Sequence, residues 1–251
     1  MGDLYAEWAK IYDYYYPDRS AEVRFWARQA AQHGLHLLDL MCGTAEVSLA
    51  LARRGNRVLG VDLSPAMLSV AAERLAAVAD YPARNLSLAQ GEAGALPAPG
   101  GAFDFAVVGG NGSFNHLDDK EAHAALRELR RVLRPGGGLG MELVNPYLLK
   151  EVYPVRRFGP LRPLPGMWAE KVSHNHYDQA ARLFHIHQVA QYEIEGEQGE
   201  FEVDFALHVW ELYDLRNMLE EAGFGMVRTY GGYDLQSFDS WSSDLLVIAQ
   251  A

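Results

Sequence analysis

The chain is short of cysteine, of long apolar runs and of positive charge. Its one cysteine, Cys42, cannot close an internal disulfide, which fits a reducing compartment such as the cytoplasm. No stretch of about 18 residues is uninterruptedly apolar, so no membrane-spanning helix is expected. The segment Met1 to Glu7 has no basic run followed by an apolar core, so no secretory signal is read there. A formal net charge of −11 argues against a nucleic-acid partner, because phosphate contacts need a clustered basic face. Arginines do gather at Arg53-Arg54 and from Arg127 to Arg134, but among acids on apparent helix surfaces. Phosphate-cradling loops are also missing. Neither G-x-G-x-x-G nor G-x-x-x-x-G-K-[ST] occurs.

What is present starts with size. The 251 residues, 49% of them apolar, suffice for one α/β domain with an insertion or a small lid. Leu37-Leu38-Asp39-Leu40-Met41-Cys42-Gly43-Thr44-Ala45 is an apolar run ending in a tight turn, followed by a helix from Glu46 to Arg54. A second apolar run then ends in Val61-Asp62-Leu63-Ser64. Strand, close-approach loop, helix, strand and terminal carboxylate are the layout of a nucleoside-binding βαβ unit, with the acid serving ribose hydroxyls. Of a possible glycine set only Gly43 is there, so the expected nucleoside carries no pyrophosphate.

Periodicity and punctuation extend the pattern. Leu4 to Tyr16 reads as an aromatic-rich helix stopped by Pro17, and Ser20 to His33 as a helix capped by Ser20. Strands are expected at 36–41, 57–61, 86–89, 103–108 and 139–144, and helices at 45–54, 65–79 and 120–133. Arg134-Pro135-Gly136-Gly137-Gly138 reads as a breaker between the last helix and its strand. Alternating strands and helices imply a mostly parallel sheet covered on both faces. Residues 146–166 are Pro-rich and read as a loop. Strand-like alternation at 168–177, 181–193 and 200–210 suggests an antiparallel meander. A helix at 213–222 and strands at 224–230 and 245–249 close the chain.

Five motifs, in order over roughly 36–144, carry a resemblance. The 37–45 run is similar to the first motif of class I S-adenosylmethionine (SAM)-dependent methyltransferases. Gly60 to Leu68 resembles the second, Gln90-Gly91-Glu92-Ala93 the third, Phe103 to Val108 the fourth, and Leu133 to Gly137 the turn before the fifth strand. The resemblance implies an α/β fold: a seven-stranded, mostly parallel, doubly wound (Rossmann-like) sheet with an N-terminal helical lid and an appended antiparallel β-meander. Residues 1–145 and 211–251 would form the SAM-binding core, with 1–34 as the lid and 146–210 as an inserted substrate-side loop and meander. The run Gly110 to Leu117 is similar to a loop of glycine N-methyltransferases and amino-deoxysugar N,N-dimethyltransferases. The latter also resemble the chain at Ile11-Tyr12-Asp13, at Lys171 to His174 and from Arg182 to His187. Two departures stand out: Met41 and Ala45 occupy places where these families carry glycine. Glu92 stands where they carry aspartate.

For the cofactor, the resemblance implies that Asp62 accepts from the ribose and that Leu63 and Met67 pack on the adenine. Glu92 accepts from the adenine amino group while the Ala93 N–H donates. Asp39, Met41 and Gly43 form the loop, with Asp39 holding loop amides or reaching the methionine ammonium through water. Gly109 meets that ammonium with its carbonyl, and Tyr12 faces the cleft from the lid. His116 and Tyr15 are the candidate catalytic groups, relaying a proton from the acceptor; a packed histidine and a simply docked helix are the alternatives. Cys42 has no paired base and reads as a small turn residue. His174, His176, His185 and His187 alternate in two strands and invite a metal, but a substrate wall or solvated face is preferred and no metal is expected. The expected function is methyl transfer from SAM to a small-molecule acceptor, preferably an amine nitrogen. O-methylation of a hydroxyl or carboxyl, or SAM binding without catalysis, are the alternatives. The exposed edge of a meander offers a surface for a homodimer.

Overall fold

The computed structural model describes residues 3–78, 84–110, 112–149, 154–162 and 167–251. Seven strands form the main sheet: β1 His36–Leu40, β2 Arg57–Asp62, β3 Leu86–Gln90, β4 Phe103–Val108, β5 Leu133–Leu143, β10 Gly225–Tyr230 and β11 Leu245–Gln250. Their order is β10-β11-β5-β4-β1-β2-β3. β1 to β5 pair in parallel, while β11 runs antiparallel to both β5 and β10. β4 is buried at every position, as expected of a central strand covered on both faces. The order reverses between β1 and β4, so a crevice opens at their carboxyl ends.

Helices α2 Ser20–Ala30, α3 Glu46–Ala52, α4 Pro65–Ala76, α5 Asp119–Val132 and α6 Leu212–Glu221 cover the sheet. Their packing yields two apolar cores. One holds Leu126, Leu129, Val132 and Leu219 against Val108 and Met141; the other holds Phe25, Trp26 and Leu51 against Leu37 and Phe105. Two helix starts carry side-chain caps. Ser64 Oγ accepts from Met67 N at 3.1 Å with Pro65 opening α4. Asp118 and Glu121 form a reciprocal capping box on α5. The third differs: Ser20 lies inside α2, and the Asp18 carboxylate takes its N–H at 2.8 Å.

A second, antiparallel sheet comprises β6 Val155–Leu161, β7 Trp168–Asp178, β8 Leu183–Ile194 and β9 Glu197–His208, in that order. Strand β6 was expected to be loop. Its Pro and Gly sit on an edge strand, where the missing donor is tolerated, and a bulge between Phe158 and Leu161 absorbs them. The β8–β9 turn is tighter than expected: Glu195 (φ 54°) and Gly196 (φ 85°) form a two-residue hairpin loop with both central residues left-handed.

Two more expectations are corrected. The segment 4–16 is not one helix but turns, a 3₁₀ turn at Trp8–Lys10 and a short α1, Tyr12–Tyr15. Its aromatics anchor on several partners, which a straight helix cannot reach. Trp8, Ala9 and Ile11 pack between Met67 of α4 and Ala169, Ala190 and Val203 of the second sheet. The Arg134-Pro135-Gly136 run does not separate helix from strand: α5 passes directly into β5, whose register against β4 shifts between Phe103 and Phe105. Leu133 still pairs with Phe103, so the extended chain begins before the glycines.

Candidate active site

Asp62 ends β2 and points its half-buried carboxylate at the β1–α3 loop. Oδ2 accepts from Gly43 N at 2.7 Å and Oδ1 from Ser64 N at 2.9 Å. A carboxylate has about four acceptor positions, so capacity remains for a hydroxyl donor. Burial holds its pKa above the ordinary value. Gly43 adopts φ +55°, and a Cβ built there would meet no atom within 4 Å, so the loop borders open space. Leu63, next to Asp62, is 61% exposed, an apolar side chain presented at the same edge. Glu92 is exposed and Ala93 half-buried just beyond β3, which pairs with β2 as far as Asp62–Gln90. Met67 is instead buried in the cluster that seats the N-terminal segment.

Met41 (φ 59°) and Ala45 (φ 58°) are both left-handed, a conformation that glycine enters without penalty. Ala45 is also the residue from which α3 starts. Asp39 is buried, and its Oδ2 takes the Ser48 hydroxyl of α3 at 2.5 Å. Burial pushes its pKa to about 7. Burial also raises the Cys42 thiol well above its ordinary value, so it offers no thiolate at neutral pH.

At the end of β4, Gly109 and Gly110 meet buried charge. A Cβ on Gly109 would lie 2.9 Å from Glu22 Oε1, and one on Gly110 would lie 3.9 Å from both Arg19 Nη2 and Tyr12 Oη. Arg19 and Glu22 form a two-pronged pair, Nε–Oε2 at 2.6 Å and Nη2–Oε1 at 2.8 Å. Buried Glu142 on β5 accepts Gly110 N at 3.1 Å and is also bonded by the Tyr233 hydroxyl. Acids thus outnumber the one arginine in this corner, a setting suited to a cationic group.

The 3₁₀ turn Ser113–His116 follows β4. Asn115 pins it, donating Nδ2 to His208 O at 2.6 Å and accepting Val144 N at 3.0 Å. His116 Nε2 lies 3.0 Å from the Tyr5 hydroxyl, with Phe205 packed edge-on at 5.3 Å. Burial depresses the imidazole pKa to about 4, so it is neutral at physiological pH and able to accept a proton bond. Tyr15 does not join it: its ring packs on Trp8 at 5.6 Å, and its hydroxyl is buried without a partner among the described residues.

The N-terminal segment is latched over this crevice. Asp3 accepts Ser64 Oγ at 2.7 Å and Ala66 N at 3.1 Å. Asp13 accepts the Thr44 hydroxyl at 2.6 Å and pairs with Arg74 of α4. Tyr12 packs against Tyr16 at 5.0 Å, the rings tilted by 42°, beside Arg19 and Glu22.

Comparison with known proteins places this geometry. A family described as "Methyltransferase domain" matches residues 37–137. Residues 37–137 are thus similar to a methyltransferase domain. A demethylmenaquinone methyltransferase of Listeria monocytogenes serotype 4a is 36% identical over 111 residues, which cover 43% of this chain and 44% of the relative, so the match spans under half of that protein. A SAM-dependent methyltransferase of Clostridium acetobutylicum superposes with TM-score 0.79 at 17% identity over 98% of each chain. The sugar N-methyltransferase KedS8 of a Streptoalloteichus species gives 0.72 at 21% identity over 95% of this chain and 92% of its own. At such identities the likeness is one of fold. It extends through the second sheet, which lies outside the matched methyltransferase domain.

Around this matched segment, several side chains escaped the sequence reading. Tyr5, Asp3 and Arg19 lie in a segment whose path is set by tertiary contacts, and nothing local marks them. Glu142 did carry a signal. Like Asp39 and Asp62, it is an acid near the carboxyl end of an apolar strand. The four strand histidines do come together, His174 opposite His187 and His176 opposite His185, on the face of the second sheet away from Lys171 and Gln188. No group of three or more His, Cys, Asp or Glu side chains is placed to hold a metal among the described residues. No described helix is long and apolar enough to cross a membrane.

Proposed function

We propose that this chain transfers a methyl group from SAM to a small-molecule acceptor, with an amine nitrogen as the favoured nucleophile. The carrying observation is Asp62: an acid at the carboxyl end of β2, with acceptor capacity left over, facing an open loop at Gly43 and flanked by exposed Leu63. Those residues fit a nucleoside without phosphate. Asp62 would take the ribose hydroxyls, Leu63 the adenine face, and Glu92 with the Ala93 N–H the adenine edge. The acid-rich corner at Gly109–Gly110 suits the methionyl ammonium, and Arg19 is the cation nearest that strand end for its carboxylate.

Bound there, SAM supplies a methyl group on a good leaving group, so the chain needs no nucleophile or metal of its own. Its task is alignment and exclusion of water. The acceptor nitrogen's lone pair takes the methyl while the carbon–sulfur bond's electrons stay on sulfur, and the amine gives up one proton. Neutral His116 can accept a hydrogen bond from the amine once Tyr5 yields its place. With a pKa near 4 in the closed state it orients the amine better than it retains the proton. Tyr15, away from His116, is proposed to shape the acceptor side.

Calorimetric SAM binding, paired with product formation on a panel of amines and phenols, tests this reading. Micromolar SAM binding with turnover on amines is expected; SAM binding with turnover only on hydroxyls would favour O-methylation, and no SAM binding would overturn it. His116→Ala is expected to lower kcat by on the order of 100-fold. An unchanged kcat and pH profile would remove His116 from the mechanism.

A further inference from the structure

The inner face of the second sheet carries a cation that methyl transfer alone leaves without a task. Register places Lys171 of β7 between Phe158 of β6 and Ala190 of β8. The side chain is buried, at 6% exposure. What surrounds its Nζ is aromatic: ring centroids of Tyr15 at 4.4 Å, Trp8 at 4.6 Å and Phe158 at 4.8 Å. No carboxylate pairs with it among the described residues. The charge that acts on it has the same sign: Arg156 of β6, which lies over Phe158 at 4.9 Å. Burial and Arg156 together hold the ammonium down to about 8.

Two further polar atoms on the same rings lack partners. Trp8 Nε1 and Tyr15 Oη are buried with no hydrogen bond among the described residues, and their rings are only 5.6 Å apart. An ammonium, an indole N–H and a phenol O–H are three donor groups that make no hydrogen bond among the described residues. A buried charge and orphaned donors are costly unless something satisfies them. Adjacent on that face, Gln188 Oε1 is a buried acceptor also without a partner among the described residues. The chemistry that satisfies such a set is an oxyanion, with a donor of the same molecule left for Gln188.

The position relates this set to His116. Trp8 packs on Phe201 at 5.7 Å, and His116 on Phe205 at 5.3 Å. These phenylalanines lie on one face of β9, roughly 13 Å apart along the strand at about 3.3 Å per residue. We propose that Lys171, Trp8 and Tyr15 form an oxyanion subsite, and that the methyl acceptor carries a carboxylate or phosphoryl group on the order of 10 Å from its reacting nitrogen. This deepens the methyl-transfer reading and rests on it for the acceptor. A molecule as short as glycine cannot span both ends.

The test has two parts. First, inorganic phosphate and acetate are titrated separately into the full chain without SAM, at constant ionic strength, by calorimetry. Saturable binding of at least one is expected, weakened tenfold or more in Lys171→Met and severalfold in Trp8→Phe. Methionine keeps the volume and removes the buried charge, a change that is usually tolerated, and retained SAM affinity in that variant reports an intact fold. Second, kcat/KM is compared for matched amines ending in a phosphate, a carboxylate or an alcohol. The better anion should exceed the alcohol at least tenfold, the leading arm naming the group, and Lys171→Met should bring that ratio toward one. Absence of saturable anion binding, equal binding by Lys171→Met, or a ratio that survives that substitution would overturn the subsite. Failure of SAM to bind sinks the transfer reading while leaving the anion titration standing; failure of the anions with SAM bound sinks only the subsite.

Discussion

Asp39 is a carboxyl whose burial is at odds with its charge. Its carboxyl holds a proton up to about pH 7 in the fold, against an ordinary value of 3.8. Between those values the folded chain keeps a proton that the unfolded chain releases. Stability from this group is therefore complete below about pH 4 and lost as pH rises toward 7, at up to about 1.4 kcal/mol per pH unit. His116 acts in the opposite sense: depressed to about 4, it favours the fold above 6.5 and costs stability as pH falls below it. The two oppose each other between 4 and 6.5, so the wild-type curve alone is ambiguous. Asp39→Asn isolates one of them, since its amide oxygen still accepts the Ser48 hydroxyl. Urea midpoints at pH 5 and 7 should show the variant gaining on wild type as pH rises. A difference that stays flat would mean Asp39 is ionised in the fold. The loop's two left-handed residues provide a second pair of probes. Ala45→Gly relieves about 1–2 kcal/mol of backbone strain and loses one buried methyl worth about 0.8 kcal/mol, so it should be neutral to slightly stabilising. Met41→Gly relieves the same strain but gives up a longer side chain packed on the first core, and should destabilise by about 1–2 kcal/mol. Equal shifts in the two urea midpoints would mean that strain, not packing, dominates at both.

The elements divide by how local their causes are. The β1–α3–β2 unit is legible in the sequence because apolar runs, the Ser64-Pro65 helix start and the Asp62 terminus are short-range features. The parallel part of the main sheet, β1 to β5, follows from repeating that unit. The N-terminal segment is not legible in the same way. Its tyrosines suit a helical face, yet Tyr5, Trp8 and Tyr15 each answer to a different partner, His116, Phe201 and Lys171. Strand β6 is hidden for a related reason: only its pairing with β7 makes a Pro-rich stretch extended. The same logic explains the site. Asp62 and Gly43 are readable, whereas the partner of His116 is a residue more than a hundred positions away. Asp13 is the element-scale test, since it ties the segment to Thr44 and to Arg74 at once. Asp13→Ala should cost about 1–2 kcal/mol in total. It should chiefly raise chymotrypsin cleavage at the N-terminal tyrosines and the SAM dissociation constant, each several-fold. Unchanged cleavage with unchanged affinity would show the latch to be ornamental.

At the scale of the molecule, the crevice lies where three packed bodies meet. The main sheet contributes Asp62 and Gly109, the N-terminal segment contributes Tyr5 and Tyr12, and the second sheet contributes Phe205. The segment shares one apolar cluster with α4 and the second sheet, separate from the two cores on either side of the main sheet. Its opening therefore need not unfold the rest. A ligand enclosed by that segment leaves only when it opens, and so suppresses the opening. SAM at 100 times its dissociation constant adds about 2.7 kcal/mol to whatever state must be lost for release. Amide exchange should resolve which state that is. If the segment gates the crevice, exchange at residues 5–16 slows by up to about 100-fold with SAM, and amides that exchange only through global unfolding slow by the same factor, because either opening must release SAM. The melting temperature should rise by about 5–10 °C for a chain of this size. Slowing confined to the Gly43 and Asp62 loops, with the segment exchanging as before, would show that SAM enters past a closed segment and that Tyr5 guards the acceptor alone.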